Sequence, residues 1–312
     1  MVLNVRRLQI LREVAMRGSI RGAAQALSYT TSAVSQHLSA LERECGVTLL
    51  ERGQNAVRLT EAGQALLPHV DSILERLAAA ETELQAFSGL SVGSLRLASF
   101  GSAALALMPG AIREFSVRYP AIDLSFFEAD PEHTLPMLKA GDLDVALTYE
   151  YDFVALHRES GIAYRLLVDE PMRLVVPHGH WAASRSAVAL AELREEAWIV
   201  EPRADCRHFT VKACEAAGFK AWVRCESSDY AVTQTLVAAG LGLALVPDLA
   251  LGNPPADVVV KLLEAPTPAR RVLAAFRAPA EQLPTVRAMV EVLVATAESV
   301  AVRPEVAARE PS

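Results

Sequence analysis

The chain has 312 residues, of which 52% are apolar and 21% are charged, and this composition excludes disorder over most of its length. It contains four cysteines, none at zinc-finger spacing, which argues against a disulfide framework and a structural zinc site. Without a long apolar run or a signal-peptide pattern, the sequence predicts a cytoplasmic protein with no membrane partner.

Charge is distributed unevenly along the chain. The formal net charge is -7, yet residues 1–60 hold eight arginines and four glutamates, a balance of +4 that leaves -11 on the remainder. A small basic segment joined to an acidic body is typical of a DNA-binding module attached to a regulatory domain, because only the module needs to meet phosphates. Local fluctuation of charge is the alternative.

The first 45 residues have the pattern of three short helices. Apolar residues recur at helical spacing before Gly18, small residues fill 21–27, and a third helix is predicted from about Ser32 to Glu44. Its apolar positions Val34, Leu38 and Leu41 share one face and must point inward.

The opposite face of the third helix carries short hydroxyl and amide side chains. Such groups can approach base edges and phosphates without a clash of charge, which is typical of a recognition helix. An ordinary serine-rich solvent face is the alternative. The predicted DNA contacts of this helix are Thr31, Ser32, Ser35, Gln36 and Ser39.

A short β-hairpin is predicted after the third helix. Two apolar runs, Val47 to Leu50 and Val57 to Leu59, enclose a polar turn at 53–55. Arg52 and Arg58 flank the turn and would lie near backbone phosphates. Residues 1–60 therefore predict a winged helix-turn-helix domain in which α-helix dominates.

Residues 61–90 predict a long linker helix followed by a hinge. The apolar positions step alternately by four and three residues, which is the spacing of a seam between two paired helices. Pairing through this seam would make the protein a homodimer. The alternative is a stripe that packs on the chain's own regulatory domain. The predicted dimerisation residues are Leu66, Val70, Ile73, Leu77 and Leu84.

Short β-type runs alternate with helical stretches over residues 91–300, and 301–312 form a tail. This alternation predicts parallel sheets covered by helices, and the length suits two α/β lobes. Ligands of such sheets bind beyond the carboxyl ends of strands, where we expect Ser102, Thr148, Pro202 and Arg203 to contact a small-molecule effector. Arg203 would favour an anion, whereas the acidic Asp130 would repel one. The alternative is that these are ordinary cap, turn and surface residues.

Many short motifs together resemble the LysR family of transcriptional regulators. The resemblance implies a winged helix-turn-helix head and a two-lobed effector domain like a periplasmic binding protein, with crossing strands that we place near Tyr164–Leu167 and Glu264–Arg271. It also implies dimers that can assemble into tetramers, and a role for Ser102 in the inducer cleft. The matching residues are Ala23-Ala24, Leu27, Ser32 to Gln36, Leu41-Glu42, Gly46-Val47, Leu49, Glu51-Arg52, Leu59-Thr60, Ala62-Gly63, Leu107 to Pro109, Phe115, Tyr119-Pro120, Leu138, Gly141, Asp144 to Leu147, Pro177, His180, Trp198-Ile199, Ala217 to Phe219 and Val237 to Pro247.

No catalytic group, metal site or cofactor motif is predicted. His178 and His180 lie two residues apart with no nearby cysteine or carboxylate and indicate a turn. Cys206 and Cys214 fall where peroxide-sensing members of the family carry a redox pair, which makes a thiol sensor the alternative function. On one continuous helix their α-carbons would lie about 12 Å apart, too far for a disulfide unless the segment unwinds.

Overall fold

The computed structural model describes residues 3–27, 29–52, 57–86, 93–155, 158–202 and 204–301. The chain divides into two compact units, Met1–Leu84 and Gln85–Ser312. The first unit is mainly helical, and its strands form a two-stranded antiparallel sheet. Its elements are α1 (Val5–Arg17), α2 (Ile20–Ala26), α3 (Thr31–Cys45), β1 (Leu50–Arg52), β2 (Val57–Leu59) and α4 (Glu61–Ala86).

Local capping defines the ends of the first three helices. The Asn4 side chain accepts hydrogen bonds from the first amides of α1, and Ser19 and Thr30 cap α2 and α3 in the same way. Gly18 and Gly46 end α1 and α3 in the left-handed conformation that glycine adopts without steric cost. The three helices therefore agree with the sequence pattern.

The core of the first unit forms where the apolar stripes of α1 and α3 meet. Leu11, Val14, Val34 and Leu41 have no exposed surface, and the two alanines of α2 allow close helix contact. Gly63 at the start of α4 lies against the backbone of Leu49, the residue before β1, because a β-carbon at this position would stand 2.3 Å from the Leu49 carbonyl oxygen.

The second unit contains ten strands in its described part, with helices packed on the sheets. Its strands are β3 (Gly93–Ser99), β4 (Ile122–Glu128), β5 (Val145–Tyr151), β6 (Ile162–Pro177), β7 (Ala187–Val188), β8 (Ala197–Val200), β9 (Trp222–Glu226), β10 (Ala244–Pro247), β11 (Val258–Leu263) and β12 (Ala269–Arg277). Its α-helices are α5 (Gly101–Ala106), α6 (Met108–Arg118), α7 (Pro131–Ala140), α8 (Ala204–Ala216), α9 (Tyr230–Ala238), α10 (Asp248–Leu251) and α11 (Pro284–Ala301).

These elements form two lobes. In lobe 1 the main sheet has the order β4-β3-β5-β12-β6, with β3, β4 and β5 parallel and β12 antiparallel to both neighbours. In lobe 2 the second half of β6 pairs antiparallel with β10 and β11, and β8 and β9 pair in parallel. The sequence prediction of parallel sheets is therefore correct for β3, β4, β5, β8 and β9 and wrong at the strands that join the lobes.

Strand β6 runs through both lobes without a break. Its residues pair with β12 up to Pro171 and with β10 from Met172 onward. The first crossing therefore lies at Pro171–Met172, and its predicted position at Tyr164–Leu167 is wrong because those residues are still paired with β12. The second crossing agrees with the prediction, since the chain passes from β11 to β12 between Leu263 and Ala269.

Each lobe has its own apolar core. Phe115, Leu147 and Met289 belong to the core of lobe 1, and Trp198 and Phe209 belong to that of lobe 2. None of the described helices has both the length and the apolar character needed to cross a membrane. The surfaces of the two lobes that face each other include polar and aromatic residues.

Candidate nucleic-acid interface and interlobe cleft

Helix α3 has one fully buried face and one polar face. Val34, Leu38 and Leu41 are at most 1% exposed, which fixes the rotation of the helix about its axis. On the other side the structure leaves Thr31, Ser32 and Gln36 exposed and Ser35 and Ser39 half-buried. Every residue predicted from the sequence for this face therefore lies outside the core, on one side of a rigidly held helix.

The Thr30 hydroxyl defines the start of this polar face. It accepts the Ala33 amide at 3.2 Å and lies 2.9 Å from the Ser32 hydroxyl. Satisfying a free amide in this way stabilises the first turn of the helix. The first turn of α3 is therefore held in a defined conformation with its hydroxyl side chains at the surface.

The strands after α3 form the predicted hairpin, with a shifted start. β1 begins at Leu50, so the predicted strand Val47 to Leu50 is wrong at its first residues. The reason is that Glu42 Oε1 accepts the amides of Leu49 and Leu50, at 2.9 and 3.2 Å, and holds this backbone against α3. Arg58 is exposed on β2 opposite Glu51. Arg52 ends β1, while its side chain and the turn at 53–56 lie outside the described residues.

Helix α4 divides its apolar residues between two environments. Val70 and Leu74 are at most 8% exposed in the core of the first unit, with Leu66 packed beside them, whereas Ile73 and Leu77 are 38% and 37% exposed. Val70 therefore packs within its own unit, which differs from the predicted seam. Leu84 belongs to α4, but its side chain is outside the described residues.

A cleft of about 830 Å³ separates the two lobes of the second unit. Lobe 1 contributes Ser102 at the start of α5 and Tyr149 on β5, and lobe 2 contributes Tyr230 and Gln234 on α9. Arg270, on the crossing strand β12, lies at the base. The cleft lies beyond the carboxyl end of β3, which is the position expected for ligands of open α/β sheets.

The base of the cleft is a buried ion pair between the two crossing strands. Arg270 Nη2 and Glu170 Oε1 are 2.6 Å apart, and these side chains are 1% and 2% exposed. Arg270 also donates to the Ser102 hydroxyl at 3.0 Å and lies over the Phe100 ring at 5.2 Å. Glu170 in turn accepts the Leu249 amide at 2.7 Å. Residues far apart in sequence thus meet at the hinge and position Ser102.

Phenol and thiol groups form the wall beside this pair. The hydroxyls of Tyr151 and Tyr230 are 3.4 Å apart, and the Cys206 thiol donates to the Tyr151 hydroxyl at 3.4 Å. Burial raises the pKa of both tyrosines well above the ordinary value. Burial, with a further contribution from Glu201, raises the pKa of Cys206 to about 12. All three groups are consequently neutral hydrogen-bonding groups at neutral pH.

The residues predicted to contact an effector lie in different places in the structure. Ser102 lines the cleft, whereas Thr148 lines a separate cavity of about 180 Å³ beside α7. Thr148 was expected to end its strand, but β5 continues to Tyr151, so this expectation is wrong. Pro202 is exposed just after β8 and is not among the residues that line the cleft, and Arg203 lies outside the described residues.

In the part of the chain that the structure describes, no three histidine, cysteine or acidic side chains cluster so that they could hold a metal ion. His180 caps a short 3-10 helix, and its Nε2 lies 3.0 Å from Glu196 Oε1. The predicted turn at this histidine is therefore confirmed.

Comparison with protein families gives two matches that together cover most of the chain. Residues 5–64 match the bacterial regulatory helix-turn-helix protein, lysR family, and residues 88–298 match the LysR substrate binding domain. The chain belongs to the LysR family of transcriptional regulators. The winged helix-turn-helix and two-lobed architecture predicted for this LysR-type regulator is confirmed.

Individual relatives of this LysR-type regulator cover nearly its whole length. It is 32% identical to the probable HTH-type transcriptional regulator LrrA of Synechococcus elongatus, over 96% of this chain and 99% of that protein. It is 31% identical to a probable hydrogen peroxide-inducible genes activator of Mycobacterium leprae, over 85% of each chain. Its fold is similar to that of full-length OxyR from Pseudomonas aeruginosa, with a TM-score of 0.70, 24% identity and full coverage of both chains.

Sequence reasoning missed most residues that line the cleft of this LysR-type regulator. Tyr149, Tyr151, Gln234 and Arg270 come from three different elements, and nothing in their local sequence links them. A buried arginine in an apolar strand is the one local clue, because an unpaired charge is costly to bury and implies a partner.

Proposed function

We propose that this LysR-type regulator binds double-stranded DNA through α3 and that a small molecule in the interlobe cleft controls that binding. The observation that carries the first part is the polar face of α3, fixed in place by a fully buried apolar face. Short hydroxyls and an amide reach base edges, while Arg58 contacts phosphates beside them. We assign the protein to the cytoplasm because its partner is DNA, and we assign it no enzymatic activity because its relatives are named as transcriptional regulators.

The DNA-binding proposal is tested by placing a charge on this face. Gln36→Glu is expected to weaken binding to duplex DNA from upstream of the regulator's own gene by about tenfold or more, because a carboxylate replaces an amide near base edges and phosphates. Fluorescence anisotropy at two salt concentrations measures the affinity and its salt dependence. Gln9→Glu, the same change at an exposed position of α1, is the control. Equal losses in the two variants would contradict the role of α3.

We further propose a homodimer that pairs through α4 and can assemble into a tetramer. Ile73 and Leu77 support it, since both are large apolar residues one turn apart with more than a third of their surface exposed. Ile73→Glu is expected to shift sedimentation toward the monomer and to weaken DNA binding together with it. Ser72→Glu, at the neighbouring exposed position, is the control. A dimer unchanged by Ile73→Glu would exclude this seam.

Effector control is supported by the large cleft and by the contact of Ser102 with Arg270 at the hinge. A ligand that bonds to Ser102 competes with Arg270 and so acts on both crossing strands. Ser102→Ala is expected to reduce the effector-dependent change in DNA affinity, measured by anisotropy across a metabolite panel. Ser125→Ala, on the exposed part of β4, is the control. Metabolites that act equally on both variants would contradict the assignment.

Thiol redox sensing by Cys206 and Cys214 is the second candidate function, favoured by the relative named as a peroxide-inducible activator. Two observations weigh against it. Both thiols are buried on one helix, α8, and burial raises the pKa of each to about 12, which leaves almost no reactive thiolate. Peroxide is therefore expected not to change DNA affinity. A peroxide response that Cys206→Ser abolishes would reverse this choice.

A further inference from the structure

Three residues form one row across the strands at the boundary between the lobes. Arg270 of β12 pairs with Tyr151 of β5 on one side and with Glu170 of β6 on the other. Directly paired residues of antiparallel strands place their side chains on the same face of the sheet. The three side chains are each at most 3% exposed. Together they form a buried row, which we call the hinge row.

One end of the hinge row is fixed in the opposite lobe. Tyr151 lies on a strand of lobe 1, yet its side chain packs in the apolar core of lobe 2. Its ring stacks on Phe209 of α8, with centroids 4.8 Å apart. Its hydroxyl oxygen is 3.4 Å from the Tyr230 hydroxyl and 3.4 Å from the Cys206 sulfur. The end of β5 is therefore held by two helices of lobe 2.

The other end of the hinge row contacts α10, a helix of lobe 2 that also reaches lobe 1. Glu170 accepts the Leu249 amide at 2.7 Å, and Arg173 donates twice to Asp248, at 2.6 and 2.9 Å. The Leu249 side chain is half-buried against the core of lobe 1, whereas Leu251 is buried in lobe 2. Both ends of the hinge row are therefore fixed to lobe 2.

The middle of the hinge row is fixed to lobe 1. Arg270 donates to the Ser102 hydroxyl at 3.0 Å and lies over the Phe100 ring. Phe100 makes an edge contact with Tyr149 at 4.9 Å, and Tyr149 makes one with Tyr151 at 5.3 Å. All five of these residues line the cleft. A ligand in the cleft therefore meets the contacts that join the lobes.

Rotation of one lobe against the other changes these contacts, because Tyr151 and Leu249 each pack in the lobe opposite to their own element. Packed cores have discrete arrangements and do not deform gradually. We propose that Tyr151 and Leu249 are positioning residues that set the angle between the lobes and make it respond to a ligand in the cleft. The response to a ligand rests on the proposed effector role of the cleft, whereas the angle itself can be measured without an effector.

Distances between the lobes in the unliganded full-length protein test this inference. p-Acetylphenylalanine is introduced at two exposed positions, Ser186 of lobe 2 and Ala295 of lobe 1, and coupled to nitroxide labels, which leaves the native cysteines unchanged. Pulsed electron paramagnetic resonance gives the distribution of label distances, and dilution with unlabelled protein restricts it to distances within one chain. Tyr151→Leu and Leu249→Ala are each expected to shift or widen the distribution by about 3 Å or more, as a rotation of one lobe would.

Two control variants remove similar contacts within a single lobe. Tyr119→Leu removes a ring contact with Phe115 at 4.9 Å inside lobe 1, and Leu236→Ala shortens a half-buried leucine in lobe 2. Both should leave the distribution unchanged, even where they lower the stability of the lobe. Leu249→Met keeps the volume of the side chain and should give the original distribution.

The outcomes separate this inference from the proposed function. A distribution unchanged by both Tyr151→Leu and Leu249→Ala would overturn the positioning role, and so would equal changes in the control variants. If the distances respond while no metabolite of the panel changes DNA affinity, the positioning role holds and effector control loses its support. If a metabolite acts while the distances do not respond to the variants, effector control holds and the positioning role is wrong.

Discussion

Replacing Glu170 by Gln is expected to destabilise the second unit of this LysR-type regulator by about 3 kcal/mol or more. The substitution keeps the shape of the side chain and removes the counter-charge of Arg270, which is 1% exposed and 2.6 Å away. A guanidinium cannot lose its proton at any ordinary pH, so the charge stays buried without compensation. Typical domains have about 5–15 kcal/mol of stability, which makes this a large fraction.

Removing the other partner has a different, pH-dependent result. Burial raises the pKa of Glu170, and the Arg270 guanidinium is the largest influence that lowers it. In Arg270→Met this opposing influence is lost, so the folded state holds a proton at pH values where the unfolded chain has released it. Stability of this variant is therefore expected to fall as pH rises above the unfolded pKa of Glu170, from about pH 4.5 toward the raised folded value.

A double variant separates the charge pair from its packing. In Glu170→Leu with Arg270→Met both charges are gone, and the loss of stability is expected to be smaller than in either single variant, because burying the pair costs desolvation free energy.

Tryptophan fluorescence during urea unfolding measures these effects in the intact chain. Trp181, Trp198 and Trp222 are the three tryptophans of the sequence, and all belong to the second unit, so the signal reports that unit. The midpoint and slope give the free energy of unfolding. A loss below about 1 kcal/mol in Glu170→Gln, the value of an exposed ion pair, would refute the buried-pair reasoning.

Three further predictions concern local features. Gly63→Ala should destabilise the first unit, since its β-carbon would stand 2.3 Å from the Leu49 carbonyl oxygen. The expected signs are faster amide exchange in β1 and weaker DNA binding. Unchanged exchange would contradict the close contact. Thr30→Ala should destabilise α3 by about 1 kcal/mol, which would appear as roughly fivefold faster amide exchange in its first turn. Equal exchange rates in the variant and the original protein would show that the Thr30 cap does not stabilise the helix. At pH 8, Cys206 should react with iodoacetamide about a thousandfold more slowly than a thiol of pKa 9.0, because its pKa is raised to about 12. Mass spectrometry of native and urea-unfolded protein measures the ratio of the two reaction rates. Comparable rates in the two states would contradict the burial of the thiol.

The helices of the first unit could be predicted from the periodicity of apolar residues in the sequence. Val34, Leu38 and Leu41 are spaced for one helix face, and all three are buried as that spacing predicts. Ser102 follows a clear strand and does line the cleft. These predictions depend only on residues that are close together in the sequence, within one helix or at the end of one strand.

Long-range contacts explain the predictions that failed. Ser102 and Arg270 are 168 positions apart and meet because two crossing strands bring them together. The dimerisation seam on α4 stays a prediction, and the structure changes the environment of one member: Val70 packs in the core of its own unit, because spacing alone does not say what covers an apolar residue. Thr148 was taken as a strand end because the apolar run stops there, whereas β5 continues to Tyr151 by pairing with Arg270 to Val272 of β12.

The unbroken course of β6 restricts how the cleft can open. The first half of β6 is hydrogen-bonded in the sheet of lobe 1 and the second half in the sheet of lobe 2. Moving the lobes straight apart would break these backbone hydrogen bonds, whereas rotating one lobe about the strand leaves each half paired. Pro171 is the last residue of β6 that pairs with β12. Because proline has no amide proton, one backbone hydrogen bond is missing at this point of the strand. A change in the angle between the lobes is therefore expected to be a rotation about β6, with its largest displacement at the lobe tips.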